Sequence, residues 1–557
     1  MSAADQGSSF LRYLESLDAF LATRLDHDDD LRQDPDVARL IESVAYFSQH
    51  AAKQASASIH DTVRELATGP FESFDRPLPA QVFVSAGQDS QRLAPLDFPA
   101  GTTFELSDNN QNRAIYASTR PLRILPIRLE HGQMRPSPQG NLRIVLRFRS
   151  RVPVDLSGET IALQVLSVND AGASLRLVFL LRRHLRSIRL LQKEEPSVWD
   201  QGEPCGYAFE DPHASHHAAA SLGPFDDLRR VLAQPLHLCG LRITLPPFES
   251  RAETFELRLE LDEAWPNEEI VSARNFALHC VPLENRFPGV AAPIFCDGTQ
   301  KEFDIVALQP ADAVLHHIVG VYEGTKNGPE WLPPAHVATS NRWWTKRKSG
   351  GDPWESVDRL HVHLPRAFLR PVPITVQGQW MQPATCSRMH GPLRVRLYES
   401  AVEGLAWQTI LPPTRSRPSP AGQQPDRVLQ AMAWRSRRFL PLAGLRSIVR
   451  LLGIHDDHPC APLLDVLVDI RGEEVHDPQS GSPRLDVQIT CGDFADDDLG
   501  LMCLLLLVVS HVHRVWSPIP VSLTLTGTTS RRLAFAARDV DNDVESYADA
   551  NHHGGSQ

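Results

Sequence analysis

The sequence predicts a multidomain α+β protein with an N-terminal helical pair, then mostly antiparallel β domains, then a C-terminal domain mixing helix and strand. Three observations predict it. Apolar residues recur every three or four positions over 10–66, alternate with polar ones in short runs from 81 to 397, and return to helical spacing at 442–452 and 499–512. A chain of 557 residues has room for several domains, and 44 prolines fit strand and loop better than long helices.

In the first predicted helix Phe10, Leu14, Leu17, Leu21 and Leu25 fall on one side. The second has a start signal: Asp34 as cap, Pro35 in the first turn and Asp36 beside the exposed amides. Its stripe is Val37, Leu40, Ile41, Val44, Ala52, Ile59 and Val63, and Gly69-Pro70 stops it. Two such helices, joined by an acidic loop at 28–30, must bury their faces on each other or on a partner.

Period-two runs follow at 81–85, 103–106, 113–117, 122–129 and 142–148. In the last, Leu142, Ile144, Leu146 and Phe148 face one way while Arg143, Arg147 and Arg149 give a basic outer face. The stretches 161–168, 174–181, 236–245 and 255–261 read as further strands, and 193–224 as a long polar loop. At 275–319 two alternating runs flank a proline-bearing excursion, with a turn at Asp297-Gly298. Short strands are expected at 360–364, 374–376 and 393–397. Farther on, 463–470, 485–489 and 521–525 read as strands. The apolar helix at 499–512, with acids before it and His511, His513 and Arg514 at its end, should be enclosed. The expected divisions are 1–78 (helical), 79–270 (β-rich), 271–410 (central β-rich, with contact loops), 411–426 (linker or flexible loop), 427–539 (C-terminal α+β) and 540–557 (flexible tail). There is no internal repeat of useful length.

A formal charge of −12 argues against nucleic acid as the main partner. The first nine residues are small and polar, unlike a signal peptide, and the longest apolar run falls short of the roughly 20 residues a spanning helix needs. The eight cysteines lie singly, as reduced thiols do. A cytoplasmic protein is the simplest expectation.

No nucleophile elbow, zinc-protease helix, phosphate loop or dinucleotide fingerprint occurs. No catalytic residue, cofactor site or metal site is assigned, and the chain is not expected to be an enzyme. His455, Asp456, Asp457, His458 and Cys460 have metal-ligand chemistry, but the group has no second ligand pair and reads as a solvated turn. His213, His216 and His217 read as a soluble loop. His237 with Cys239, and His279 with Cys280, lie on apolar runs, so one of each pair should face a core. Two aromatic-basic stretches remain. One holds Trp343, Trp344, Lys346, Arg347 and Lys348; the other holds Trp434, Arg435, Arg437, Arg438 and Phe439. Tryptophan and arginine concentrate binding energy at protein interfaces, so protein contact is preferred to nucleic acid, with ordinary loops an equal reading.

Several segments, in order, resemble one family, the TssF (VasA/ImpG) baseplate proteins of type VI secretion systems. These are FLRYLESLDAFLATRL, DPDVARLIESVAYFSQHAAKQ, FPAGTTFEL, TRPLRILPIRLE, WRSRRFLPLAGLRSIVRLLGIHD and, above all, NFALHCVPLENRFPGVAAPIFCDGTQKEFDIV. The resemblance spans about 10–528 and is that of a divergent member: where the family reads closer to Val-Asn-Leu-Phe, this chain has Glu284-Asn285-Arg286-Phe287. The resemblance implies a structural subunit of the baseplate wedge. It implies contacts with TssG, two copies of the subunit meeting each TssG, and links to TssK, TssE, the VgrG spike and the TssB/TssC sheath. It places the subunit in the cytoplasm at a baseplate docked on the inner membrane. The contact residues expected are Phe10, Tyr13, Leu283, Asn285, Phe287, Trp343, Trp344, Trp434 and Arg438. Outside the resemblance, many strands and tryptophans also suit a large carbohydrate- or ligand-binding module, which would show a deep aromatic-lined pocket. A hydrolase with distributed carboxylates is a weaker alternative.

Overall fold

Strand Gln81–Gln88 joins Cys280–Glu284 on one side and Leu405–Thr409 on the other, and a closed barrel grows from that pairing. The remaining staves are Arg113–Ser118, Thr103–Ser107 and Arg394–Leu397. The computed structural model describes residues 35–527 apart from 68, 89–93, 168–169, 193–201, 211–222, 267, 349–356, 366–369, 399–401, 403, 438, 477–482, 518 and 520. The first predicted helix, the Asp34 cap, the 213–217 histidines and the tail lie outside the described residues.

The chain divides into two units. One comprises Met1–Pro77, Pro288–Trp380 and Pro418–Leu429; the other comprises Leu78–Phe287, Met381–Arg417 and Gln430–Gln557. The second unit contains the barrel. Val82, Val84, Phe104, Leu106, Tyr116, Val281 and Leu283 fill it. Closure removes exposed edges, so each strand can bury one parity inside and offer the other to a covering layer. Phe83, of the outward parity, meets the edge of the His237 ring at 5.0 Å.

The same unit carries an eight-stranded sheet and a three-stranded sheet. The long strands Leu142–Val154 and Ala252–Leu261 pair Phe148 with Phe255, Leu146 with Leu257 and Ile144 with Leu259 on the apolar face. The opposite parity pairs Arg147 with Glu256 and Arg143 with Glu260, so the basic outer face read from the sequence meets acids across the ladder.

Ser174 to Leu181 form a helix, Ala171–His184, where alternation predicts a strand. Its cap decides the outcome: the Asp170 carboxylate accepts from Gly172 N at 2.8 Å and Ala173 N at 3.3 Å. The helix lies against Leu499–Trp516. A Cβ on Gly500 would stand 2.6 Å from Gly172 O and 2.5 Å from Arg176 N, so the crossing requires a glycine. Leu499–Trp516 has the length and apolarity of a spanning helix, yet 72% of it is buried inside the fold, as its all-round apolar surface predicts. Two further differences are local. Residues 463–466 turn as a helix before strand Leu467–His476, and the 193–224 stretch contains strand Glu203–Phe209. The 411–417 stretch is hydrogen-bonded to the barrel: Thr414 N donates to Gln81 O, and Leu78 and Arg417 exchange backbone bonds.

The other unit contains helix Pro35–Leu66, a five-stranded sheet and the three-stranded sheet of Glu302–Asp304, Asp358–His363 and Trp343–Lys348. In the five-stranded sheet, Val314–Thr325 pairs with Gly328–Leu332, and Ile294–Cys296 pairs with Val372–Met381. Asp297 accepts from Thr299 N at 2.9 Å and Gly298 has φ 88°, so the turn read at Asp297-Gly298 forms.

Candidate interaction surfaces

The strand at the centre of the family-like motif is placed in the interior. Every residue of Cys280–Glu284 is buried, because its inward side fills the barrel and Glu284, on the other side, meets helix Pro224–Ala233. Arg230 Nε lies 2.6 Å from Glu284, and Arg286 lies 3.2 Å from the other carboxylate oxygen. Arg230 also reaches Asp227 at 2.8 Å, and Arg229 lies 3.7 Å from Asp226. The contact is a buried ion pair at short range. Burial pulls the Arg230 pKa down; Glu284, Asp227 and Asp226 together outweigh it and hold the guanidinium charged.

Asn285 is 0% exposed and hydrogen-bonded through both side chain and backbone. Its amide donates to Ile115 O at 2.8 Å, its oxygen accepts from Gln382 N at 2.7 Å, and its backbone N donates to Ala80 O at 2.8 Å. It thus ties segments distant in sequence. Phe287 is 4% exposed and Leu283 0%. As candidate contacts, then, Leu283, Asn285 and Phe287 are interior side chains that the folded chain does not present. The physical reason is that an alternating strand with both sides covered looks, in sequence, like one with a single free side. Gly289, two residues after Phe287, lets the backbone pass the Trp380 indole; a Cβ there would stand 2.8 Å from its Cδ1.

Of the histidines near cysteines, His279 is buried and His237 half-buried. His279 has φ 53°, and its Nε2 accepts from Leu125 N at 3.2 Å. Burial lowers its pKa to about 4. His237 points Nε2 at Gln81 Oε1, 3.0 Å away, and burial, with Arg120 and Arg230, lowers its pKa to about 3. Cys239 and Cys280 are pushed up to about 12, chiefly by burial, so they are inert thiols. In the 455–460 turn, His458 is buried; its Nε2 faces Leu232 O at 3.0 Å while Nδ1 accepts from Cys460 N. That is a structural histidine in place of the solvated one the sequence suggests. Among the described residues no group of three or more His, Cys, Asp or Glu is placed to hold a metal.

The aromatic-basic stretches are half-buried ribbons and turns. Trp343 stacks between His363 and His361, with centroids at 4.9 and 5.6 Å. Trp344 Nε1 donates to Leu332 O at 2.9 Å. Lys346 lies 3.3 Å from Asp75 and 3.9 Å from Asp358, which neutralises part of the patch. Trp434 carries the Arg437 guanidinium 4.7 Å above its ring. Its indole N–H is buried with no acceptor among the described residues. Phe10, Tyr13 and Arg438 lie outside the described residues.

Two apolar surfaces stand open that the candidate list lacks. On helix Pro35–Leu66 the buried side carries Ala45, Gln49 and Val63, while Leu40 is 66% and Phe47 68% exposed. In the same unit, Leu308 N donates to Val290 O and Ala292 N to Val306 O. This ladder sets Val290, Val306 and Leu308 side by side, all exposed. The signal was present in the sequence: Phe303, Ile305 and Ala307 take the inward parity, yet the outward parity at 306 and 308 is apolar too. In the barrel-bearing unit, a groove of about 470 Å³ between 130–133 and 272–274 has no Phe, Tyr or Trp in its lining, unlike the pocket a carbohydrate module would show.

The comparisons with known proteins agree in direction. The family model "Type VI secretion system, TssF" matches residues 20–480. Among solved structures, a chain of the "type VI secretion system TssK-TssF-TssG baseplate subcomplex" is similar at TM-score 0.68 and 16% identity, covering 88% of this chain and 96% of that one. A chain of "the baseplate complex from the type VI secretion system" is similar at TM-score 0.58 and 16% identity, covering 95% of this chain and 97% of that one. No curated protein sequence matches. A family match across most of the chain, together with a shared fold along nearly its full length, means that this chain belongs to the TssF family of type VI secretion proteins.

Proposed function

We propose that this chain is a structural, non-enzymatic subunit of the type VI secretion baseplate wedge, binding TssG and TssK. The observation that carries the reading is the TssF family match over 20–480, supported by the fold shared with a chain of the TssK-TssF-TssG subcomplex and with a chain of a type VI baseplate complex. In the finer reading, two copies meet one TssG, and the wedge connects TssE, the VgrG spike and the TssB/TssC sheath in the cytoplasm, at a baseplate docked on the inner membrane.

The work of such a subunit is to hold neighbours in register without making or breaking bonds. Exposed apolar groups at Val290, Val306 and Leu308 suit it, since burying them against a partner contributes about 25 cal/mol per Å² before association costs. Trp343, Trp344 and Trp434, all half-buried, stay proposed contacts.

Co-expression with TssG and TssK of the same system tests the reading. The expected result is one complex through affinity capture and size exclusion, with native mass spectrometry reporting two copies per TssG. A chain that elutes alone from cells producing both partners would refute it.

A further inference from the structure

We propose, resting on the two-copy reading above, that the open edge of strand Leu467–His476 is where two copies of this chain meet, their strands added antiparallel about a two-fold axis at Gly472. The strand is ten residues long and pairs on one side only. In its sheet Pro483–Cys491 takes the middle place and Val521–Gly527 the far side. Among the described residues no backbone hydrogen bond joins Leu467–His476 to anything but Pro483–Cys491. Arg471, Gly472, Glu473, Glu474 and His476 are exposed. An edge of this length, unbroken by proline, is a template for one more strand.

The strand has a definite inside and outside. Ile470 is buried, and a Cβ on Gly472 would enter the Phe439 ring, so that parity faces the fold. Arg471 and Glu473, of the other parity, face outward. Arg471 is 80% exposed and places Nε 2.8 Å from Asp469 Oδ2, which leaves its two terminal nitrogens for a second carboxylate.

The occupant follows from the strand's own sequence. A two-fold axis must pass through a residue, because neighbours on a strand turn their backbone groups to opposite edges. Centred on Gly472, the pairing sets Arg471 against Glu473 of the other copy, and does so twice. Gly472 meets Gly472 there, where no side chain stands between the two backbones. Centred on Arg471 or Glu473, it opposes like charges. Centred on Glu474, it opposes Glu474 to itself and sets Arg471 against residue 477, past the strand's end. Centred on Ile470, it sets Glu473 beside buried Leu467, at the register shift between Leu467 and Asp469. Ile470 N is moreover already given to Asp469 Oδ1 at 2.9 Å. Only the Gly472 axis joins opposite charges without meeting an obstacle.

Two exposed ion pairs and a short ladder make a weak contact alone. Two copies held by one TssG would meet at an effective concentration of about millimolar, which suits a contact of that strength.

Co-expression of TssG with two differently tagged full chains, Arg471→Cys and Glu473→Cys, tests this. The expected result is a reductant-sensitive disulfide carrying both tags, because opposed Cβ atoms come within disulfide range. Either variant with the unsubstituted chain should give none, which controls for the eight native cysteines. Hydrogen exchange reads the same contact without new cysteines. Amides at 471–476 should gain about tenfold or more in protection in the TssG complex over the isolated chain. Glu473→Arg should abolish the gain, and Arg471→Glu with Glu473→Arg in one chain should restore it. Native mass spectrometry separates the two ways to fail. Two copies per TssG without the mixed disulfide, or without the loss and rescue of protection, would overturn the strand contact and leave the two-copy reading standing. A single copy per TssG would overturn both.

Discussion

The strand Cys280–Glu284 and the helix Pro35–Leu66 are both apolar in sequence and end in opposite states. The strand is enclosed on both sides, and the two polar residues that close and follow it, Glu284 and Asn285, are matched by partners. The helix shows solvent an apolar side as well as a polar one. The difference teaches where assembly chemistry is to be sought. Within the motif that most resembles the family, Cys280–Glu284 builds the barrel, whereas exposed apolar groups farther on, Val290 and Val306, join Leu308 on a surface open to a neighbour.

Substitutions can break or sharpen that contrast. Phe287→Asp buries a carboxylate at a 4% exposed site, and a loss of more than about 5 kcal/mol is expected, read as absence of soluble protein. Asn285→Ala leaves Ile115 O and Gln382 N unpaired in the interior; about 3 kcal/mol is expected, measured as a shift in the denaturant midpoint. A similar ceiling applies to acid. His279 has its pKa lowered to about 4 by burial, below the unfolded value of about 6.5, so its stabilising neutral form is fully effective above pH 6.5. Between pH 6.5 and 4 the unfolded chain takes up a proton that the folded chain refuses, and stability falls by up to about 3 kcal/mol. His279→Asn, which tolerates the left-handed backbone, should flatten that slope in pH-dependent unfolding. Gly289→Ala pushes a methyl against the Trp380 ring and should cost about 2 kcal/mol by thermal melt. At the small end, Leu308→Asp on the open patch should move stability by less than about 0.5 kcal/mol while weakening partner capture.

Much of this fold is legible in the sequence where one side of an element is covered. The stripe of Leu445, Ile448, Val449 and Leu452 gives helix Leu442–Leu452, and alternation gives Leu142–Val154 and Ala252–Leu261. Legibility fails where both sides are covered. Residues 174–181 are apolar at nearly every position, so period cannot separate strand from helix, and only the Asp170 cap carries the answer. The same limit hid the place of Asn285: its partners, Ile115 and Gln382, are remote in sequence and leave no local trace. Helix Pro35–Leu66 fails in a third way. Its stripe is read correctly as apolar, but Leu40 and Val44 face solvent while Ala45 and Val63 take the core side. Hydropathy records that a side chain avoids water, and it does not record whether its own chain or another supplies the cover.

The central claim is that the motif strand holds the fold while the open apolar patches hold the neighbours. It is tested most directly by capturing TssG and TssK with the intact chain and with Leu308→Asp, both checked for an unchanged circular dichroism melt. The account predicts a stoichiometric complex with the first and a complex weakened about tenfold or more with the second. Equal capture by both, or no capture by the intact chain, would contradict it.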